Sequence, residues 1–377
     1  MAYLIYTREA LFDLVWEQPV TKLAKDLGLS DVGLSKACRR ADIPLPERGH
    51  WARLLAGKTV VRPPLPMRGL GKPEEIEFGG SRYGREMPTE AEILSMDIPP
   101  PPVFFEDLDE VKARARGMVK RIVIPRRLDR CHPEIAKLLR ADEERVAKQL
   151  KYSYSWDQPI FGSIVERRRL RFLNALLLSL TVCGCKCGIS GKEARGAYVK
   201  VGEESISFSF EHVGAKERQY NERPNPIPEG AKLSLKLNWW QPPPELEIQW
   251  EDTTEHTIED RITEIGIALL VAGEWAYRSW LIRRRKYIIE RRDELQEEAR
   301  QAKLELERKE RDRLALVAKG KRDRLLADAR AWRDAANIRA FVNAAKSTNN
   351  EIEDTWVEWA LQEADRLDPL VAAQHSR

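Results

Sequence analysis

Between Val20 and Lys58 the chain carries eight basic side chains (Lys22, Lys25, Lys36, Arg39, Arg40, Arg48, Arg53, Lys58) against four acidic ones. Guanidinium and ammonium groups in such a cluster can neutralise phosphates, and an arginine or lysine held at a base edge can pair with guanine O6 and N7. On a helix around Asp31–Ala41, the residues Ser30, Asp31, Val32, Ser35, Lys36 and Arg39 would face bases or phosphates, and Arg40 would meet phosphate. The following stretch, Pro44-Leu-Pro-Glu-Arg-Gly-His-Trp-Ala-Arg, is rigid, then basic and aromatic. It reads as an arm along the backbone or in the minor groove, with Arg48, His50 and Arg53 as contacts. The alternative there is a Trp51 packed on the helical core.

Other residues invite chemistry less well. Cys183, Cys185 and Cys187 supply three thiols, but a structural zinc site wants four ligands, usually in C-x2-4-C pairs. On a strand their period of two would put all three sulfurs on one face, as small core residues. They are weak metal candidates, and no metal or cofactor is expected. Gly188-Ile-Ser-Gly-Lys lacks the spacing of a phosphate loop. Glu245 and Glu247, expected on a strand, have no lysine placed as in a metal nuclease. The histidines (His50, His132, His212, His256, His375) show no paired spacing, and no catalytic residues are assigned. Further cations cluster at Lys112–Arg130, Arg167–Arg171 and Arg283–Lys286.

A helix-turn-helix would position the first cluster. Ala24 is the small residue that lets two helices approach, Gly28 supplies the turn, and Leu23, Leu27, Leu29, Leu34 and Ala37 fill the core positions. Ser30 caps the second helix, Pro44 stops it, and Thr7 caps a preceding helix bearing Leu11, Leu14 and Val15.

The whole chain of 377 residues has 64 Lys and Arg against 60 Asp and Glu, so any positive surface is local. This excludes a uniformly basic, histone-like binder and a disordered acidic solvator. Charged residues make up 33%, above the usual quarter, which points to long solvated helices. The N-terminal Met-Ala-Tyr-Leu-Ile-Tyr has no secretory character, and five cysteines suggest a reducing compartment, so a cytoplasmic protein is expected. The best membrane candidate, Phe172–Cys183, falls short of the ~20 residues needed to span.

The reading is α+β and multidomain: a three-helix unit at 1–58, a movable Pro/Gly-rich linker at 59–104, and a central α/β domain of helices on a small antiparallel sheet at 105–257. A long helix or coiled coil follows at 258–346, then a C-terminal helix from about Asn350 and a tail at 347–377. Helices are expected at Glu106–Lys120, Pro133–Leu150 and Glu166–Leu180. Strands are expected near Cys183–Cys187, Ala197–Val201, Ser205–His212, Lys232–Trp239 and Glu245–Trp250. Gly320 is the expected kink in the long helix. Leu281, Ile288, Leu295 and Ala302 recur every seven residues, the mark of a seam for a homodimer. Beyond Gly320, Leu325, Ala329, Trp332, Ala336 and Phe341 suggest renewed packing.

Tyr6-Thr-Arg-Glu-Ala-Leu, Val15-Trp, Pro19, Thr21-Lys-Leu-Ala-Lys, Ser30-Asp-Val-Gly-Leu and Arg48-Gly-His-Trp-Ala, with Trp356-Val-Glu-Trp-Ala and Ala364-Asp-Arg-Leu-Asp-Pro-Leu at the other end, resemble a family of uncharacterised bacterial proteins. That family is often seen near mobile elements. The resemblance implies a helix-turn-helix protein that binds double-stranded DNA and brings no catalytic residues. The expectation is therefore a non-enzymatic DNA-binding protein, a transcriptional regulator or mobile-element accessory factor. The rivals are a coiled-coil adaptor or scaffold and a nuclease-type enzyme sited in the central domain.

Overall fold

The computed structural model describes residues 4–78, 87–152, 157–215, 226–239, 242–348 and 353–372. Asn350, His375 and residues 79–86 of the expected linker lie outside them. Among the described residues the chain is mixed α and β, with eleven α-helices, two small antiparallel sheets and one very long C-terminal helix. Its contacts divide into two compact units, Met1–Thr89 with Met96–Ile289, and Glu90–Ser95 with Glu290–Arg377.

The first unit begins with strand β1 (Leu4–Thr7) and helices α1 (Arg8–Glu17), α2 (Val20–Asp26), α3 (Asp31–Arg40) and α4 (His50–Leu55). Thr7 Oγ1 accepts the Ala10 N–H at 3.2 Å and so starts α1. Leu11, Val15, Leu23, Ala24, Leu34, Ala37 and Cys38 form the buried core of these helices. Ile76 and Phe78 belong to the same core, because strand β2 (Glu75–Phe78) pairs antiparallel with β1, Leu4 opposite Phe78. The sequence suggested only extended linker here; strand pairing supplies the backbone partners that a buried segment must have.

That segment is not a loose tether. Buried Arg8 donates to Ala41 O (2.7 Å) and Pro66 O (3.0 Å), and Lys72 Nζ meets Asp42 Oδ1 at 2.5 Å. A few residues away, Arg68 reaches Glu274, Glu203 N–H donates to Gly71 O at 3.0 Å, and Glu74 N–H donates to the Tyr277 hydroxyl at 3.1 Å. Residues 62–78 therefore bond on one side to the N-terminal helices and on the other to the middle of the chain. The prolines of 99–102 are likewise laid against helix: Arg285 Nε donates to Pro99 O at 2.8 Å.

The middle of the chain holds α6 (Leu108–Met118), α7 (Pro133–Lys151), α8 (Ile164–Val182) and five strands in sequential antiparallel order: β3 (Lys186–Ser190), β4 (Gly196–Val201), β5 (Glu204–His212), β6 (Leu233–Leu237) and β7 (Gln249–Glu251). One sheet face packs on α8 and on the first turns of helix α9 (Ile262–Thr348); Leu173, Leu177, Val199, Phe208, Leu235 and Leu269 are all fully buried. The first strand starts later than expected. Cys183 is the cap of α8 and Cys187 alone lies on β3, so the three sulfurs do not share a strand face. The last strand is also shorter: Glu245 and Glu247 precede it, and Glu247 is bound by Arg261 (2.8 Å).

In the second unit, α5 (Glu90–Ser95) is tied to α9 by an Arg291–Glu90 ion pair. Helix α10 (Asp354–Leu367) folds back, and α11 (Pro369–Ala372) follows. The packing face is Ile338 and Val342 against Val357, Ala360 and Leu361, and Ala335 is also buried, whereas Trp332 and Phe341 remain exposed. Arg339 pins the fold-back through Asp365 and Asp368, both at 2.7 Å. Helix α9 runs through Gly320 unbroken; one glycine costs a helix only about 1 kcal/mol.

Among the described residues one helical stretch, within 258–348, is long and apolar enough to cross a membrane, and 67% of that apolar window is buried inside the protein. It is not the Phe172–Cys183 stretch singled out from the sequence. The apolarity belongs to the part of α9 that fills the core.

Candidate nucleic-acid interface

Helix α3 has two unlike sides. Leu34, Ala37 and Cys38 are buried at 4% exposure or less, while Asp31, Val32, Lys36, Arg39 and Arg40 are exposed and Ser35 is half-buried. The turn before it is set by Gly28 at φ 66°, the left-handed region that favours glycine. Leu29 N–H donates to Ala24 O at 2.7 Å and Gly28 N–H to Lys25 O at 3.1 Å, closing the end of α2. Ser30 Oγ then accepts the Gly33 N–H at 3.0 Å and opens α3.

The far end of α3 is held from behind. Its last carbonyls would be orphans, and the Arg8 guanidinium takes Ala41 O, with Asp42 O at 3.4 Å. Burial lowers the Arg8 pKa, with Glu74 and Asp42 opposing that shift. Nothing in sequence spacing marked Arg8; its signal is a lone arginine among the apolar positions of an amphipathic helix.

The ten residues picked out by sequence fare differently. Lys36, Arg39, Arg40 and Arg48, with Lys22 and Lys25 nearby, are exposed and have no ion-pair partner among the described residues. Val32 is 57% exposed on the same helix face. The hydroxyl oxygen of Ser30 is occupied as a cap, and Asp31 Oδ1 accepts the Val32 N–H at 2.7 Å. Arg53 pairs with Glu47 at 3.2 Å across the Pro44–His50 loop. His50 must be withdrawn as a contact: it is 6% exposed, stacked edge-on at 5.1 Å against both Trp16 and Trp51. The loop carries it inward because Gly49 at φ 81° turns the chain into α4, and Trp16 Nε1 fixes that loop through Pro44 O at 2.9 Å.

A second cationic surface was visible in sequence only as a charge run. Residues 119–132 form an ordered loop between α6 and α7. Asn174, fully buried on α8, accepts His132 N–H at 2.7 Å and donates to Arg130 O at 2.9 Å. Ile122 N–H donates to Thr263 Oγ1 at 3.1 Å. Lys120, Arg121, Arg127 and Arg130 line an open cleft of about 500 Å³ beside Asp129, and among the described residues none of the four has an ion-pair partner.

Several buried charges of the middle of the chain are paired internally. Glu166, buried beside Arg169 (2.8 Å) and Arg195 (2.6 Å), belongs to a closed network, and burial with the neighbouring Arg195 pushes Arg169 down to about 10. Asp252 accepts both Arg168 Nη groups (2.7 and 2.8 Å) and the N–H groups of Leu233 and Ile258. Burial pushes the thiols up, Cys185 to about 12 and Cys187 to about 11. No cluster of three or more His, Cys, Asp or Glu suited to a metal occurs among the described residues.

No protein-family model, no curated protein and no solved structure matches the chain. The resemblance described from the sequence therefore rests on its own residues.

Proposed function

We propose that the protein binds double-stranded DNA, with α2, the Leu27–Ser30 turn and α3 acting as a helix-turn-helix. The observation that carries this reading is the outward face of α3: a capped helix, anchored by Leu34, Ala37 and Cys38, that presents Val32, Lys36 and Arg39 to solvent, Lys36 and Arg39 without a carboxylate partner among the described residues. Phosphate neutralisation by Lys22, Lys25, Arg40 and Arg48 comes first. Lys36 or Arg39 then pairs with guanine, Val32 meets a thymine methyl, and each good base contact discriminates by about 1–3 kcal/mol. Lys120, Arg121, Arg127 and Arg130 are a further phosphate-binding surface. In this reading the protein is a cytoplasmic regulator or mobile-element factor, and pairing of two chains joins two half-sites by effective concentration.

The test is fluorescence anisotropy with a random duplex pool across a salt series. The triple variant K36A/R39A/R40A should lose specific binding, and the log–log salt slope should fall by about 0.9 for each phosphate contact removed. An unchanged affinity and slope would remove α3 from the interface. A second reading, an adaptor that binds protein, is favoured by Leu54 and Leu55 on α4, exposed at 48% and 90%. Under it Leu55→Ser abolishes partner capture and the wild type shifts no duplex.

A further inference from the structure

From Gln296 to Arg330 every residue of α9 is exposed, yet the stretch is rich in large apolar side chains. Leu304, Leu306, Leu314, Leu316 and Leu325 are 56–72% exposed. A helix that merely spans water needs no such residues. The seven-residue seam read from the sequence does not explain them. Ile288, at its centre, is only 1% exposed within the single chain, so the first half of that seam is already used.

The order of these residues is nearly symmetric about Glu310. Reflection about that position places Leu295 on Leu325, Ala302 on Ala318, Leu304 on Leu316 and Leu306 on Leu314. The net charges of the two halves are opposite under the same reflection, although Glu297 falls on Asp323 and Lys309 on Arg311. Residues 293–307 hold six acids (Asp293, Glu294, Glu297, Glu298, Glu305, Glu307) and two bases, net −4. The reflected residues 313–327 hold five bases (Arg313, Lys319, Lys321, Arg322, Arg324) and one acid, net +4.

We propose that residues 293–327 of α9 pair with the same segment of a second copy of this chain, antiparallel and centred on Glu310. Antiparallel pairing sets each acidic half against a basic half. Glu298 then faces Arg322, and Glu307 faces Arg313. Parallel pairing in register would set like on like along the whole segment. The apolar stripe Leu295, Ala302, Leu306, Leu314, Ala318, Leu325 steps by 7, 4, 8, 4 and 7 residues, itself symmetric about the centre. Its mean of about 3.75 residues per turn exceeds 3.6, so the pair winds right-handed. Leu304 and Leu316, each two residues from members of the stripe, lie on the opposite face of the helix and take no part in it.

This pairing does not depend on DNA binding, and its test contains no DNA. Sedimentation of the full chain at low salt should give a dimer at tens of micromolar that weakens as salt is added. The variant E298K/E305K/E307K and the variant R313E/K319E/R322E should each be monomeric while retaining wild-type helical circular dichroism, since every altered side chain is exposed. Mixing the two in equal amounts should restore the dimer. Gln296 and Arg324 face each other across the antiparallel pair, while two copies of Gln296 lie about 45 Å apart. Mild oxidation should therefore cross-link Q296C to R324C in a mixture and neither one alone, above the background given by the wild type's own thiols. A wild type that stays monomeric across this range, or Q296C that cross-links to itself, overturns the proposal.

Discussion

Glu274 offers the sharpest test of how the chain is held together. Its carboxylate is completely buried on α9 and accepts four N–H groups: Arg68 Nη1 (3.1 Å) and Nη2 (2.5 Å), Arg278 Nε (2.9 Å) and the backbone of Gly71 (2.8 Å). Burial pushes this carboxyl up, and the Arg68, Gly71 and Arg278 bonds more than offset it, leaving its pKa below the ordinary 4.5. In Glu274→Gln the amide nitrogen turns donors toward donors, and two guanidinium groups, 14% and 6% exposed, keep their charge without the counter-charge. Removing one partner of a buried pair costs about 3–5 kcal/mol. With an m-value of about 3 kcal/mol/M, the urea midpoint should fall by about 1–1.7 M. The control is Glu264→Gln, whose carboxylate is 63% exposed beside Arg261 and should move the midpoint little. The sign with pH is fixed by the lowered pKa. The contribution of Glu274 is full above the unfolded value and is lost as pH falls through the lower folded one, so the gap between wild type and variant should narrow progressively as pH falls below the ordinary 4.5. A midpoint within experimental error of the wild type at pH 7, or a gap that persists in acid, refutes the account.

Other outcomes are equally open to measurement. A Cβ on Gly273 would overlap the Val201 side chain, so Gly273→Ala should destabilise by about 1–2 kcal/mol despite its better helix propensity, whereas Gly320→Ala, with open space around it, should gain up to about 1 kcal/mol in thermal unfolding. Arg8→Ala leaves the carbonyls of Ala41 and Pro66 without their donor and should cost about 1–3 kcal/mol, read by amide exchange at the end of α3. Burial holds the thiols of Cys38, Cys185 and Cys187 at about 11, 12 and 11, so these three should resist iodoacetamide at pH 8 in the native protein and react once urea is added; rapid native labelling of any of them would contradict their packing.

What the sequence disclosed follows from the range of the interactions. Periodicity is local, so α7, α8, β4 and β5 were legible within a few residues, as was the Thr7, Gly28 and Ser30 punctuation of the N-terminal helices. β1 and β2 were not, because four residues paired with four others some seventy positions away leave no local signature. Cys183-Gly-Cys-Lys-Cys alternates as a strand does, yet Gly184 at φ 86° ends a helix inside it, and the period-two reading failed there. His50 was misjudged for a similar reason. Its polarity argued for solvent, while Gly49 and two tryptophans take the ring inward. The exposed cations of α3 were the most legible part of the candidate interface, since a helix with three buried positions leaves the remaining side chains no other place to go.

The same contacts bear on how such an interface would work. A proline-rich stretch restricts φ but leaves carbonyls and N–H groups in need of partners. Here arginines and a glutamate supply them: Arg8 takes Pro66 O, Arg68 Nη1 takes Lys72 O at 2.6 Å, and Glu274 takes the Gly71 N–H. The stretch thereby becomes a strap, bonded through Lys72 to Asp42 at the end of α3 and through Arg68 to α9. Force or displacement at α3 is then passed to the core through two ion pairs and a strand pair, with no slack chain to absorb it. A duplex seated on α3 would accordingly act on one compact body comprising the N-terminal helices, the five-stranded sheet and the start of α9. The ordering cost of a flexible tether is then already met in the free protein, which favours tighter binding than a tethered helix of the same charge would reach.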